Sequence, residues 1–167
     1  LWSAIEVAPD EYDWEEYDRQ LDLAAAHGIK TIIAEMITAA PEWAFRRFAH
    51  ARLETREGQR VESGVSGSCV TGGFPGLCLD NQDYRAAAER FLRALVARYK
   101  GHPGLGGYDI WNECGFGHDT CYCPATAEAF RTWLRTKYGD LESMGKAWFG
   151  HSFASWEDVT PPRSLGP

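Results

Sequence analysis

Twice in the first 113 residues an amphipathic helix runs into a glycine and then directly into a short apolar strand, and that order restricts the fold more than any other feature. Asp13 is placed to cap the first helix, with Glu15 and Glu16 in its opening turn where the helix dipole favours acids. Tyr17, Leu21, Ala24 and Ala25 recur at helical spacing until His27-Gly28, and Ile29-Lys30-Thr31-Ile32-Ile33-Ala34 follows as a β-branched strand. The second helix opens at Asn81-Gln82-Asp83-Tyr84, sets Ala87, Phe91, Leu95 and Val96 on one face, and stops at Gly101-His102-Pro103. Residues 105–113 are the next strand. Leu1-Trp2-Ser3-Ala4-Ile5-Glu6 reads as the end of an earlier one. Three strand candidates separated by helices predict an α/β chain, because parallel neighbours need long crossovers that helices supply.

The last of these strands, Gly107-Tyr108-Asp109-Ile110-Trp111-Asn112-Glu113, is apolar and aromatic until it ends on an amide and a carboxylate. The C-terminal end of a buried parallel strand is where barrel enzymes place catalytic groups; it is equally a place where a strand simply ends before an N-cap. Set among Tyr108, Trp111 and Phe116, the Glu113 carboxyl would be desolvated and held protonated towards neutral pH, as a general acid must be. Asn112 can both donate to and accept from a sugar hydroxyl. Glycoside cleavage needs a second carboxylate, about 5–5.5 Å away for retention or about 6.5–9.5 Å for inversion. Glu6 and Glu35 are the other strand-end carboxylates, and a barrel can also supply the partner from a distant strand.

The net charge of −7 argues against nucleic acid or an anionic membrane as a partner, since 24 carboxylates outnumber 17 cations. A small neutral carbohydrate fits better, and the seven Trp, seven Tyr and eight Phe include possible stacking platforms, although most aromatics fill cores. Trp43, in Thr38-Ala39-Ala40-Pro41-Glu42-Trp43, is a candidate substrate-binding residue; loop packing is the commoner role for such a residue, and a sugar-stacking wall is the other. A short helix is expected over 44–51. Residues 54–80, rich in glycine, serine, arginine and glutamate, read as a long loop, and 114–124 as a second. A helix with Phe130, Trp133 and Leu134 inside then runs to Lys137-Tyr138-Gly139, followed by another over 141–148. No apolar run approaches the roughly 20 residues that a membrane span needs.

Five cysteines, Cys69, Cys78, Cys114, Cys121 and Cys123, are an odd count that suits a reducing compartment or a metal site better than a disulfide framework, and favours the cytoplasm. Cys121-Tyr122-Cys123 places two thiols in one loop, and Cys-x-Cys with more distant cysteines suits tetrahedral zinc. Cys78, Cys114 and His118 are further possible ligands, and the bland alternative is a set of small loop hydrophobes. A Cys-His nucleophile lacks any flanking signature, and the glycines between Gly64 and Gly76 lack the lysine of a phosphate loop.

From Trp2 to about Trp156 the chain resembles glycoside hydrolase family 42, the β-galactosidases built on (β/α)8 barrels. The resemblance rests on an ordered set. Trp2-Ser3 and Glu6 precede a Tyr-Asp-Trp helix start, Gly28-Ile29-Lys30-Thr31 enters a strand, and Ala40-Pro41-Glu42-Trp43 follows. Cys78 then precedes Asp83-Tyr84-Arg85, and Tyr99 with His102-Pro103 precedes Asn112-Glu113. Cys121-Tyr122-Cys123-Pro124 leads to Ala129-Phe130-Arg131-Thr132-Trp133-Leu134 and Lys137-Tyr138-Gly139. The resemblance implies a fragment of a (β/α)8 TIM barrel covering roughly strands 2 to 4 and their helices, with 1–167 an incomplete catalytic domain truncated at both ends. It implies a retaining mechanism with Glu113 as acid/base and Asn112 as a substrate-binding neighbour. The family's nucleophile ends the seventh strand and falls on no residue here, so the 167 residues alone are expected to be inactive. It also implies structural zinc on Cys78, Cys121 and Cys123, with Thr126 at the position of the family's fourth cysteine. Phe74 stands where the family has a substrate-contacting arginine, so another sugar specificity stays open, as does a non-catalytic carbohydrate-binding module. The expected partner is a small carbohydrate, and a homo-oligomer is compatible with the reading.

Overall fold

The computed structural model describes residues 1–167 except 35, 36, 38, 63, 67, 68, 75, 110–120 and 164–167, and gives the backbone alone over 64–66 and 69–74. The chain forms two compact units, residues 1–52 with 62–116, and residues 53–61 with 117–167.

The first unit opens with a one-turn helix α1 (Trp2–Ile5) and a hairpin of β1 (Glu6–Ala8) and β2 (Glu11–Tyr12). The expected strand over the first six residues is therefore mostly helix. Trp2 and Ile5, three apart and fully buried, share one inward face of a helical turn, a pairing that a strand would send to opposite sides. Asp10 makes the hairpin turn at φ 64°, a left-handed conformation that aspartate tolerates better than most side chains. Helix α2 (Glu15–Ala26) begins as expected, although Trp14 holds the cap position and Asp13 helps from outside by accepting the Glu15 N–H at 3.1 Å. Gly28, at φ 69°, turns the chain out of the helix. Strand β3 (Thr31–Ile33) follows, then α3 (Glu42–Arg47) and a 3-10 turn at Ala49–Ala51.

The long loop over 54–80 contains two antiparallel strands, β4 (Gly64–Ser66) and β5 (Cys69–Phe74). Its Val-Ser and Val-Thr steps carry β propensity that the surrounding glycines hide in a composition reading. Helix α4 (Gln82–Tyr99) begins where expected and is capped by Asn81, whose side chain accepts the Tyr84 N–H at 2.9 Å. Its inward face is Tyr84, Ala87, Ala88, Phe91, Leu95 and Tyr99, while Val96 is left partly exposed. Strand β6 (Leu105–Tyr108) pairs in parallel with β3, in the register Thr31 to Leu105, Ile32 to Gly107 and Ile33 to Tyr108. Helices α3 and α4 lie between these two strands in sequence, which gives the parallel pair the crossover it requires.

An aromatic stack holds this unit together. Trp2 stacks on Tyr84 and on Phe91 with ring centroids 5.6 Å from each, and meets Trp43 edge-on at 6.1 Å. Trp14 continues the stack on Phe91 and meets Tyr99 edge-on. Each such contact adds about 0.5–1.5 kcal/mol beyond the area it buries. Burial pushes the Tyr84 hydroxyl up to about 12, so it stays neutral across the working range.

The second unit contains α5 (Pro124–Tyr138), α6 (Leu141–Ala147) and a 3-10 turn at Trp156–Asp158. Leu134, Met144 and Val159 are fully buried, with Phe130, Tyr138, Leu141, Trp148, Phe153 and Trp156 packed against them. Trp133 is not inside as its spacing suggested: it is 53% exposed, with the Lys137 ammonium 4.8 Å from its ring centre. Its neighbour Leu134 takes the inward position. No described helix is long and apolar enough to cross a membrane.

Candidate functional site

The parallel pair β3 and β6 sets the geometry from which a site would be built. Beyond the strands proper, the Asp109 amide still donates to the Ile33 carbonyl at 2.9 Å, so the two segments stay paired to that point. Glu35 lies two residues past β3, and Asn112 and Glu113 lie four and five residues past β6. All three of these residues fall outside the described ones, as do Cys114 and His118.

Glu6, the other strand-end carboxylate, is described and is closed to substrate. It is 1% exposed, and both oxygens are used: Oε2 accepts the Trp2 indole N–H and Oε1 accepts the Asp10 amide at 2.8 Å. A carboxylate so enclosed braces the α1-β1 junction and is not the second catalytic group. The strand alternation that suggested it breaks down because Glu6 is the C-cap of α1.

Trp43 sits at the second position of α3 and is 7% exposed, its Nε1 donating to the Glu6 carbonyl at 3.1 Å. Its ring lies against Trp2 and Phe48. Two polar groups that sequence reasoning passed over lie in the same unit. Ser3 Oγ and the Tyr108 hydroxyl are buried without a hydrogen-bond partner among the described residues, and burial raises the Tyr108 pKa. A tyrosine on the strand that precedes Asn112 is legible in the sequence; the enclosure of its hydroxyl is not.

The described cysteines are thiols rather than disulfides. In the first unit, Cys78 is 3% exposed; its amide donates to the Ala51 carbonyl at 2.8 Å and its carbonyl accepts the Asn81 amide at 3.1 Å, which fixes it at the entrance to α4. In the second unit, Cys123 is 2% exposed and caps α5, its carbonyl accepting the Ala127 amide at 2.9 Å and its Sγ lying 3.6 Å from the Thr126 hydroxyl. Cys121 is half-buried beside it in sequence. As donors, the thiolates of Cys78 in the first unit and of Cys121 and Cys123 in the second suit a soft, tetrahedral ion, and three thiolates leave a fourth position to be filled. Thr126 offers only a neutral hydroxyl there, a weak donor towards zinc.

The profile of glycoside hydrolase family 42, described as β-galactosidase, matches residues 1–167. A β-galactosidase of Thermus thermophilus is 33% identical over 167 residues, covering 96% of this chain and 24% of that protein. The β-galactosidase LacZ of Heyndrickxia coagulans is 28% identical over 165 residues, again 96% of this chain and 24% of the relative. Among solved structures, the β-galactosidase of the Antarctic haloarchaeon Halorubrum lacusprofundi superposes with a TM-score of 0.82 at 26% identity, over 96% of this chain and 24% of that one. A catalytic mutant of a family 42 β-galactosidase from G. stearothermophilus gives 0.81 at 28% identity, over 99% and 23%. The chain thus spans about a quarter of the length of these relatives, and its α/β fold matches a portion of their barrel structures.

Proposed function

Because the chain belongs to glycoside hydrolase family 42, the β-galactosidase family, over residues 1–167, we propose that it forms part of the catalytic barrel of a retaining β-galactosidase with Glu113 as its general acid/base. The observation that carries the proposal is the family match across a parallel pair, β3 and β6, whose second strand precedes Asn112-Glu113 in the sequence. In this reading Glu113 protonates the glycosidic oxygen as the bond breaks. It then takes a proton from the water that releases the sugar, and Asn112 holds a hydroxyl next to the reacting carbon. The nucleophilic carboxylate comes from outside these residues, about 5–5.5 Å from Glu113 as retention requires. Trp43, although 7% exposed, is the aromatic residue assigned a sugar contact in this reading. Cys78, Cys121 and Cys123 would be the ligands of a structural zinc, which takes no part in bond cleavage.

The test uses the intact protein. Glu113→Gln should lower kcat/KM, which reports the bond-breaking step, on an unactivated alkyl β-galactoside by about 10²–10⁴-fold, and by much less on an aryl galactoside whose leaving group needs no proton, while kcat falls on both because release of the sugar needs the same group as a base. Equal losses of kcat/KM on both substrates, or none, would remove Glu113 from the role. A second reading, another sugar at the same site, is favoured by Phe74 standing where the family has a substrate-contacting arginine; a panel of aryl glycosides ranked by kcat/KM decides between them.

A further inference from the structure

The loop that carries two of the thiols is tied down by residues that no metal-ligand pattern would pick out. Residues 53–61 form a small hairpin closed by Thr55 N–H to Gln59 at 2.8 Å and Val61 N–H to Leu53 at 2.8 Å, with Gly58 at φ 83° in the turn. Tyr122, between Cys121 and Cys123, docks on it by donating its amide to the Glu54 carbonyl at 3.0 Å. The other end of Tyr122 is held too: its hydroxyl donates to the Pro162 carbonyl at 3.1 Å. Arg163 closes the arrangement. Its guanidinium donates to the carbonyls of Arg56 at 2.7 Å and Thr55 at 3.3 Å and to Glu54 Oε1 at 2.9 Å, while lying 4.9 Å from the centre of the Tyr122 ring. The tail that delivers Arg163 is anchored upstream by the buried Val159 and by Arg131, which donates to the Val159 and Glu157 carbonyls. All of these residues belong to one unit.

We propose that Arg163, acting through Tyr122 and Glu54, is a positioning residue for the thiols of Cys121 and Cys123. The proposal rests on the zinc reading above only for what the thiols hold; that the loop is held is read from the clamp itself. With Tyr122 bound at its amide, ring and hydroxyl, the residues on either side of it lose most of their backbone freedom before any ligand arrives, so less ordering remains to oppose binding. A guanidinium suits the task because its planar fork meets three acceptors at once. Nearly half of Arg163 is exposed, so the ion pair itself adds little to folding stability, and the effects on folding and on the loop can be separated.

The experiment is zinc competition against a chromophoric chelator with the intact protein, in parallel with maleimide labelling of the zinc-stripped protein, located by mass spectrometry. In Arg163→Ala the zinc affinity should fall about 10–100-fold, as for other residues that hold ligands in place, while the urea midpoint stays near that of the parent. Arg163→Lys should fall between the two, since an ammonium reaches one or two of the acceptors and cannot fork. Labelling at Cys121 and Cys123 should quicken in Arg163→Ala. Tyr122→Phe, which removes only the bond to Pro162, should move both readouts the same way by less. If the parent holds no zinc, the zinc reading fails, and the labelling rates alone decide the clamp: faster labelling in Arg163→Ala supports it. Unchanged labelling in both Arg163→Ala and Tyr122→Phe overturns the proposal, as does an unchanged affinity in a parent that does bind zinc.

Discussion

The Trp43 indole nitrogen donates to the backbone carbonyl of Glu6 at 3.1 Å, and through that bond α3 is fastened to the only buried charged residue among those described. Glu6 is thus held from three sides: the Trp2 indole and the Asp10 amide on its carboxylate, and the Trp43 indole on its main chain. The carboxylate is an acceptor of two fixed donors in a dry place, and no alternative orientation of the donors is on offer.

Glu6→Gln follows directly from this. An amide has one acceptor oxygen where the carboxylate has two, so its NH2 must face either the Trp2 indole or the Asp10 amide, donor against donor. The expected loss is about 1.5–3 kcal/mol, the scale of one hydrogen bond to a charged group. Trp43→Phe leaves the Glu6 carbonyl without its donor and also removes buried ring volume, so it should cost more than the about 1 kcal/mol of that bond alone. Urea unfolding of the intact protein and the two variants gives both figures. Equal stability of parent and Glu6→Gln would remove the bracing role.

Asp18 on α2 accepts from Arg98 Nε at 2.7 Å and from the Tyr99 hydroxyl at 2.9 Å, both at the end of α4. The Arg98 hydrogen bonds, helped by Tyr99 and opposed by partial burial, hold the Asp18 carboxyl below its ordinary 3.8. A depressed folded value means that this contribution is complete above the unfolded value and fades as the pH falls through the folded one. With side chains 33% and 41% exposed, the pair is worth less than about 1 kcal/mol. In Asp18→Asn the stability near pH 7 should therefore drop by less than that amount, and the gap from the parent should close below pH 4. A gap that persists in strong acid would show that packing, and not charge, is what the substitution disturbed.

The helix-glycine-strand order was legible because it is written in local chemistry: Asn81 at the α4 cap, Gly28 at the α2 exit and the β-branched run at β3 each act within a few residues. The first six residues misled, because Leu-Trp-Ser-Ala-Ile-Glu alternates about as well as it repeats at three, and only the burial of Trp2 beneath Tyr84 and Phe91 decides for a helix. The same limit applies to the site. Asn112-Glu113 stands out as polar residues ending an apolar strand, and the cysteine spacing stands out as a motif, whereas Arg163 pairs with Glu54 across 109 positions. No periodicity carries that information.

Gly104 illustrates a glycine whose role is packing, although the sequence offers it only as one more loop residue after Pro103. A Cβ built there would sit 2.5 Å from the Leu21 carbonyl of α2, 3.2 Å from His102 Nδ1 and 3.3 Å from the Ala25 methyl. Its own carbonyl accepts the Thr31 N–H at 2.7 Å, the bond that begins the β3-β6 pairing. Since backbone must move, Gly104→Ala should cost about 1–3 kcal/mol. The control is Gly107→Ala, where nothing lies within 4 Å of the added methyl; it should be close to neutral, and similar losses in both would mean that glycine content alone sets the effect.

Thr126 is the residue on which the zinc reading can be pushed in the favourable direction. Its hydroxyl lies 3.6 Å from Cys123 Sγ, one helical turn along α5, so a cysteine there, with sulfur in place of the hydroxyl and no γ-methyl, would present a thiolate beside the one already there. Three thiolates and a weak donor would become four thiolates, the commonest closed set for structural zinc. Thr126→Cys is therefore expected to raise the zinc affinity of the intact protein at least about tenfold by chelator competition, with cobalt substitution giving the intense charge-transfer absorption of a four-thiolate site. The thiols must ionise to bind, so the gain should grow between pH 6 and pH 8. An affinity unchanged across that range would show that position 126 does not face the metal, and the fourth ligand would then have to come from Cys69, Cys114, His118 or water.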